Sequence, residues 1–275
     1  MAILCAAVLL AGCSLRKIGY NLATRIVVSK LSDTFDLKKP QKQQAQAAVA
    51  MLHDWHRKTE LPRYVQFIDA IMAKTADGLT QDELMWMFKE GEVTWDRTAH
   101  KLAPEAAALL VTLSPEQLSH AEGEMNKASQ ERFERLELPE QDYVNFRLKK
   151  AKKNMNTWLG SYTDAQLAQF DRFIRKNRVE ELRRQKLNEQ NRTALLTALR
   201  EHAPRQTVET LIFNWMTKQQ VAPTDEHQHA EERNLSDFVD MVLAIDRSLS
   251  PAQRQHLLKE LRTLRTELYE LSIGA

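Results

Sequence analysis

Two groups of side chains in this sequence are of the types that bind metal ions. His53 and His56 lie three positions apart, so a helix would present both imidazoles on one face, next to Asp54. The second group, residues 225–232, contains two histidines and four carboxylates. Its histidines, His227 and His229, would point about 200° apart on a helix. Because neither group is joined by a third ligand at a spacing typical of zinc sites, we expect no metal ion and no cofactor.

The sequence lacks the motifs of nucleophilic catalysis and of nucleotide binding. It contains no Gly-x-Ser-x-Gly segment and no glycine-rich phosphate-binding pattern. Carboxylates are abundant, and an acid–base pair formed only in the folded chain remains an alternative. We therefore expect that the protein is not an enzyme. Five tryptophans lie on apolar helical stripes, which favours positions in the core over a ligand cage: Trp55, Trp86, Trp95, Trp158 and Trp215.

Cys13 is the residue whose surroundings predict a covalent modification. Residues 1–12 are apolar and uncharged, a run too short to span a bilayer but typical of the apolar part of a secretory signal. The segment Leu10-Ala11-Gly12-Cys13 resembles the lipobox of bacterial lipoproteins, in which the cysteine is acylated and becomes the N-terminus after cleavage. We therefore predict a signal peptide over residues 1–12, palmitate-type acylation of Cys13, and an anchor segment and tether over residues 13–30.

Such an anchor predicts where the protein is found. Ser14 after the cysteine resembles the outer-membrane sorting class, so we expect a lipid-anchored protein in the outer membrane of a Gram-negative bacterium, with its body in the periplasm. Cys5 would leave with the signal, and the mature chain would then contain neither a free thiol nor a disulfide. Its stability would therefore come from core packing.

The secondary-structure elements that carry these residues are predicted to be helices. Among 275 residues there are only 7 glycines and 8 prolines, too few for a turn-rich β sandwich or barrel. Leucines recur every three or four positions over residues 257–271, and residues 167–199 are expected to form one long helix. Further breaks are expected at six positions: Pro62, Gly78, Pro104, Pro139, Gly160 and Pro223. These patterns predict an all-α fold, an elongated bundle of about nine helices with short loops, as a single domain over residues 31–275.

Four helix starts have the letters of a capping box. In this motif a Ser or Thr side chain accepts from the amide three residues later, and the Glu or Gln there bonds back to the cap amide. The predicted cap residues are Thr80, Ser114, Thr163 and Ser250.

Charge is unevenly distributed although the formal net charge is only +2. Residues 105–142 contain nine acidic and three basic residues, whereas residues 147–192 contain thirteen basic and five acidic ones. The densest basic segment is a candidate surface for anionic lipids or an acidic partner, or else a solvated helix face, and comprises Arg147, Lys149, Lys150, Lys152 and Lys153. The near-neutral total argues against a nucleic-acid partner.

One segment resembles a known family. The chain contains Gly19-Tyr20-Asn21 and later Trp55-His56-Arg57-Lys58-Thr59-Glu60-Leu61-Pro62-Arg63-Tyr64. These segments resemble the DUF6279 family of uncharacterised proteobacterial lipoproteins, and the resemblance implies an all-helical lipoprotein without a known activity. From the residues themselves we expect a helix ending near Lys58, a turn at Leu61-Pro62 and a pair between Glu60 and Arg63.

The expected function is that of a non-catalytic binding or structural component of the cell envelope, attached to the membrane through Cys13 and bound to an unidentified envelope protein. The alternative comes from three of the capping segments. Leu113 to Gln117 and Leu249 to Gln253 have the pattern Leu-Ser/Thr-x-x-Gln, and Tyr162 to Gln166 has it with Tyr in place of Leu. This pattern resembles that of the Spy and CpxP periplasmic stress proteins. That resemblance implies a chaperone or an envelope-stress-sensing module.

Overall fold

The computed structural model describes residues 13–217 and 225–274, and these residues form an all-α protein, as predicted. In chain order the α-helices α1 to α12 are Cys13–Asn21, Ala23–Phe35, Lys39–Trp55, Leu61–Thr75, Gln81–Leu110, Pro115–Glu137, Glu140–Leu159, Asp164–Lys176, Arg178–Arg200, Arg205–Thr217, Asp225–Arg247 and Pro251–Ser272. A π-helical turn, His56–Glu60, joins α3 to α4. The prediction of about nine helices was therefore too low. The predicted signal peptide and Pro223 lie outside the described residues.

None of the helices in this part of the chain has the length and apolar character needed to cross a bilayer. The segment predicted as a tether forms α1 and most of α2, and Tyr20 in α1 is only 7 % exposed.

Two predicted helix breaks at prolines were wrong. Helix α3, the π turn and α4 follow one another without interruption, and Pro62 lies in the first turn of α4. Proline has no N–H and cannot donate the regular hydrogen bond to the carbonyl four residues earlier. The π turn contains one extra residue, which changes the backbone hydrogen bonds just before Pro62. Pro104 lies inside α5, where Ala103 and Ala107 on either side are fully buried. Packing of this face offsets the backbone bond that the proline loses.

A third difference is a break inside the predicted long helix of residues 167–199. Helix α8 ends at Lys176 and α9 begins at Arg178. The intervening Asn177 donates from Nδ2 to the Phe173 carbonyl and to Asp237, and its Oδ1 accepts from Asn234. Asp237 and Asn234 belong to α11, so hydrogen bonds to a helix distant in sequence stabilise the break at Asn177.

All four predicted capping boxes are confirmed. The hydroxyl oxygens of Thr80, Ser114, Thr163 and Ser250 each accept from the backbone amide three residues later, at 3.2 to 3.3 Å. Each Glu or Gln at that third position accepts in return from the cap amide.

The glutamines of these boxes also bind each other, which the sequence did not predict. Nε2 of Gln166 donates to Oε1 of Gln253 at 3.2 Å, and Nε2 of Gln253 donates to Oε1 of Gln166 at 3.0 Å. Each amide also donates to the loop before the other helix, to the carbonyls of Ser248 and Ser161. We call this arrangement a reciprocal glutamine pair, and it locks the start of α8 to the start of α12.

A second reciprocal glutamine pair joins α3 to α6. Gln41 donates to Gln117 at 3.1 Å, and Gln117 donates to Gln41 at 2.8 Å. The two amides also donate to the carbonyls of Thr112 and Asp36 in the opposite loops. Gln41 accepts from the amide of Lys38 and so acts in a box that lacks the usual Ser or Thr. The same geometry therefore recurs at two places far apart in the chain.

Four apolar clusters fill the space between the helices. The largest is built by α2, α3, α5, α6, α9 and α10, together with Leu37 and Leu113 in the connecting loops. A second cluster joins Tyr20 of α1 to Leu61, Val65 and Ile68 of α4 and to four leucines of α12. Smaller clusters connect α5 to α11 and α7 to α8. Through the second cluster, α1 packs on the last helix of the chain.

The reciprocal pairing predicts a specific cost for Gln166→Glu. A carboxylate at this 1 % exposed position cannot donate to Gln253 or Ser248, so we expect a loss of about 3 kcal/mol in the free energy of unfolding. Urea unfolding followed by circular dichroism measures it.

The matched control is Glu83→Gln in the Thr80 box, where the side chain caps its own helix start and pairs with no second box. We expect a change of about 0.5 kcal/mol or less. Equal costs for the two substitutions would contradict the role of the reciprocal pair.

Candidate functional site

The two segments that carried the family resemblance come together in the fold. Residues 19–21 lie at the end of α1, and residues 55–64 span the π turn and the start of α4. We call their junction the N-terminal docking site and define it by Tyr20, Asn21, His53, His56 and Arg57. It is the place where the helix that begins at Cys13 is bound to the rest of the protein.

Tyr20 is the central residue of the N-terminal docking site. Its hydroxyl lies 2.9 Å from Nδ1 of His56, and its backbone carbonyl accepts from Nε2 of His53 at 3.1 Å. The tyrosine ring lies 4.5 Å from the His53 ring and 5.7 Å from the His56 ring, centroid to centroid. The Tyr64 and His56 rings form an edge-to-face pair, with their centroids 5.4 Å apart. Tyr20 is thus held by both its ring and its backbone.

Arg57 connects three parts of the chain at this junction. Its guanidinium donates to Oδ1 of Asn21 at 2.8 Å and to the carbonyl of Leu271 near the end of α12 at 3.2 Å. It also lies over the Tyr20 ring, with Cζ 5.2 Å from the centroid. A single cation therefore links the π turn, α1 and α12.

The π turn explains why one short segment can make these contacts. In a regular helix His53, His56 and Arg57 recur at i, i+3 and i+4 on one face. The extra residue of a π turn displaces the residues that follow it around the helix axis, and such turns are frequent at functional sites. At the end of the turn the chain presents Glu60 and then Leu61 to the interior, where they are 0 % and 1 % exposed.

Glu60 is a buried charge that stabilises the turn from inside. Arg97 of α5 binds both of its oxygens, with Nη2 2.9 Å from Oε2 and Nε 3.2 Å from Oε1. Arg63 donates to Oε1 at 2.9 Å, which confirms the predicted pair. Hydrogen bonding to Glu60 raises the pKa of Arg97, and Thr94 accepts a further bond from the same guanidinium. The carboxylate is therefore compensated by two cations.

The remaining motif residues surround this network. Trp55 lies under the ammonium of Lys101, 6.0 Å from its ring, and Thr59, Pro62 and Tyr64 are partly buried. Arg97 and His53 were missed as partners because sequence spacing gives no signal for a contact between α5 and the π turn or between α3 and α1.

Burial sets the protonation of the site. It lowers the pKa of His56 to about 4, with the nearby Glu60 opposing and His53 adding to the shift, so the imidazole is neutral at pH 7. Burial also lowers the pKa of His53, and it raises the pKa of Tyr20 to about 12. Because neutral His56 can accept from the Tyr20 hydroxyl, the pair is a hydrogen bond between two uncharged groups.

The histidine groups show no metal centre. In the described residues no three His, Cys, Asp or Glu side chains lie close enough to hold an ion. His53 and His56 do share a helix face but bind Tyr20 instead. His229 faces Glu232 at 3.4 Å, whereas the side chains of Asp225, Glu226 and His227 lie outside the described part.

The basic segment lies on α7, away from the N-terminal docking site. Arg147 pairs with Glu181 of α9. The side chains of Lys149, Lys150, Lys152 and Lys153 are exposed. Within residues 13–217 and 225–274, no carboxylate is within ion-pair distance of these four lysines, so their charge faces solvent.

The five tryptophans are partly buried, not enclosed in the core. Trp95 donates its indole N–H to the carbonyl of Met216, and Trp215 donates to Asn188. An indole has one polar edge, and a place at the boundary of the core satisfies it.

The Leu-Ser/Thr-x-x-Gln letters are accounted for by helix capping. Gln117, Gln166 and Gln253 are 1 % to 5 % exposed and hold helix starts together. These segments therefore give no separate argument for a chaperone.

The described residues thus define an all-helical protein whose N-terminal helix is bound to its body through Tyr20 and the π turn. The family model of DUF6279, a family of unknown function, matches residues 33–226. Since the match covers more than two thirds of the chain, the protein belongs to DUF6279, and the predicted resemblance is confirmed. Tyr20 and all of α12 lie outside the matched stretch. No curated protein and no solved structure matches the chain.

Removing Arg97 tests the buried ion pair. In Arg97→Met, Glu60 keeps only Arg63 while it stays buried, so we expect a loss of about 3 kcal/mol in the free energy of unfolding. The control is Arg265→Met, which removes a bidentate pair with Asp69 on the surface and is expected to cost about 0.5 kcal/mol. Urea unfolding measures both variants. An equal loss in the free energy of unfolding for the two would contradict the role of Glu60.

The neutral His56 predicts acid sensitivity. The folded pKa of about 4 lies below the usual 6.5, so protons bind the unfolded chain first and stability falls as the pH drops from 6.5 towards 4. This residue alone should cost about 2 kcal/mol by pH 5.

Urea unfolding at pH 7.5 and at pH 5 should therefore show a smaller pH difference for His56→Gln than for the wild type. The control His229→Gln changes an exposed histidine outside the N-terminal docking site and should keep the wild-type difference. An unchanged difference in His56→Gln would show that folding does not lower the pKa of His56.

Proposed function

We propose that this DUF6279 protein is a lipoprotein anchored by acylated Cys13 in the outer membrane, with its helical body in the periplasm as a non-catalytic binding or structural component. In this proposal residues 1–12 are the signal peptide, residues 13–30 the anchor segment, and residues 31–275 the helical domain. The observation that carries it is the docking of α1, which begins at Cys13, onto the body through Tyr20.

This docking matters because it shortens the path from lipid to body. Tyr20 lies seven helical positions after Cys13, a rise of about 10 Å. Arg57 and Tyr20 bind the end of that helix to α12 and to the π turn. An acylated Cys13 would thus hold the body next to the membrane in one orientation, as a binding or scaffold component requires.

The exposed lysines of α7 support a second surface in the same role. Lys149, Lys150, Lys152 and Lys153 form a cationic face whose charge no described carboxylate pairs with. Such a face suits an acidic envelope protein, which we propose as the partner. Near-neutral net charge over the whole chain argues against nucleic acid.

The anchor is tested by Cys13→Ala. We expect this variant, expressed in a Gram-negative host, to lose the mass of its acyl chains and to be released from membranes by a high-salt wash, because the sulfur that carries the lipid is gone. Mass spectrometry of the mature N-terminus and fractionation measure both effects.

Cys5→Ala is the matched control, since it removes the other cysteine of the chain from within the predicted signal. It should be acylated and fractionate as the wild type does. A Cys13→Ala protein that stayed in the membrane with its wild-type mass would end the proposal.

A further inference from the structure

The N-terminal helices carry an apolar stripe that nothing in the described fold covers. Ile18 is 54 % exposed, Leu22 42 % and Ile26 47 %. Eight other bulky apolar side chains of the described residues are also exposed, but these three follow one another at a spacing of four residues. Because all three lie within the thirteen residues that follow Cys13, the exposure of this apolar surface needs an explanation.

The three residues lie on one face of a nearly continuous helix. Between α1 and α2 the amide of Leu22 bonds the carbonyl of Ile18 at 3.0 Å, and the amide of Ile26 bonds the carbonyl of Leu22 at 3.0 Å. At 100° per residue the spacing of four confines their side chains to an arc of about 80°. Tyr20 and Val28 point the other way, into the core. The stripe is thus the outward face of a helix docked by its inward face.

Charge around the stripe is of one sign. Residues 13–32 contain four basic residues and no acidic one. Lys17 pairs with Glu270 of α12, whereas Arg25 and Lys30 are exposed and form no ion pair with a described residue. By helical angle Arg25 lies on one side of the stripe and Lys30 on the other. Asp33 is the first acidic residue, one turn or more beyond Ile26.

An apolar stripe flanked by cations is the pattern of a helix that lies in a membrane interface. The apolar side chains enter the boundary between headgroups and acyl chains, and the cations contact phosphate groups. The helix is too short to cross the bilayer, so it would lie at the surface.

We propose that the outward face of α1 and α2, formed by Ile18, Leu22 and Ile26 between Arg25 and Lys30, inserts into the surface of an anionic phospholipid membrane. This inference rests on the proposed function for the position of the helix, because acylation of Cys13 would bring the stripe to the bilayer. It adds a second membrane contact, one made by the protein itself. Together the two contacts determine which side of the body faces the lipid.

The test measures binding of residues 13–275 carrying Cys13→Ser to vesicles of phosphatidylethanolamine and phosphatidylglycerol, by co-sedimentation. Because this protein has no lipid, the result does not depend on whether Cys13 is acylated in cells. We expect the affinity of Leu22→Ser/Ile26→Ser for these vesicles to be about tenfold lower. Arg25→Gln/Lys30→Gln should bind several-fold more weakly, with reduced sensitivity to salt.

Two controls match these variants elsewhere on the surface. Phe146→Ser/Val179→Ser removes side chains that are 50 % and 77 % exposed, and Arg233→Gln/Arg247→Gln removes two exposed charges from α11. Both should bind as the unsubstituted protein does. Circular dichroism of every variant checks that the helices remain folded. We expect this result because substitutions of exposed side chains usually change stability little.

Three results would overturn the proposal. One is absence of vesicle binding by the unsubstituted protein. Another is unchanged binding of Leu22→Ser/Ile26→Ser, which would leave only a charge effect. A third is a dimer in solution that this variant converts to monomer, since a second copy of the chain would then be what covers the stripe.

Discussion

Helix starts that meet inside a protein must satisfy their first amide groups without water, and this constraint organises the whole fold. Two reciprocal glutamine pairs meet it, one between α3 and α6 and one between α8 and α12. In each pair one side chain caps its own helix, binds its counterpart and donates to the opposite loop. Glutamine can do all three because its side-chain amide carries an acceptor oxygen and two N–H donors. Glu83 has no donor, and its box stabilises a single helix start.

The residues of the π turn bind α1 to the rest of the protein. Within this turn His56 contacts Tyr20, Arg57 bonds the Leu271 carbonyl of α12, and Glu60 is buried against Arg97. Burial then keeps His56 neutral, so the contact with Tyr20 is strong at neutral pH and weakens in acid. The motif that marked the family is therefore explained as a structural joint, and it lies beside the point of proposed lipid attachment.

Both proposals concern the same end of the molecule. A docked α1 would transmit the position of acylated Cys13 to the body, and its outward stripe would add a direct contact with lipid. The lysines of α7 belong to a separate surface, which leaves them for a partner of opposite charge. Both proposals therefore concern how the body would be oriented at a membrane.

Local rules in the sequence determined the helical class, the four capping boxes and the pair of Glu60 with Arg63, because each depends on residues within four positions of one another. The same rules failed at Pro62, Pro104 and Asn177, where packing or a bond to α11 outweighs the local preference. Tertiary structure alone brought Gln166 to Gln253, Arg97 to Glu60 and Tyr20 to His56. These contacts span from 36 to 87 positions, and sequence spacing carries no information about which distant polar groups will share a buried space.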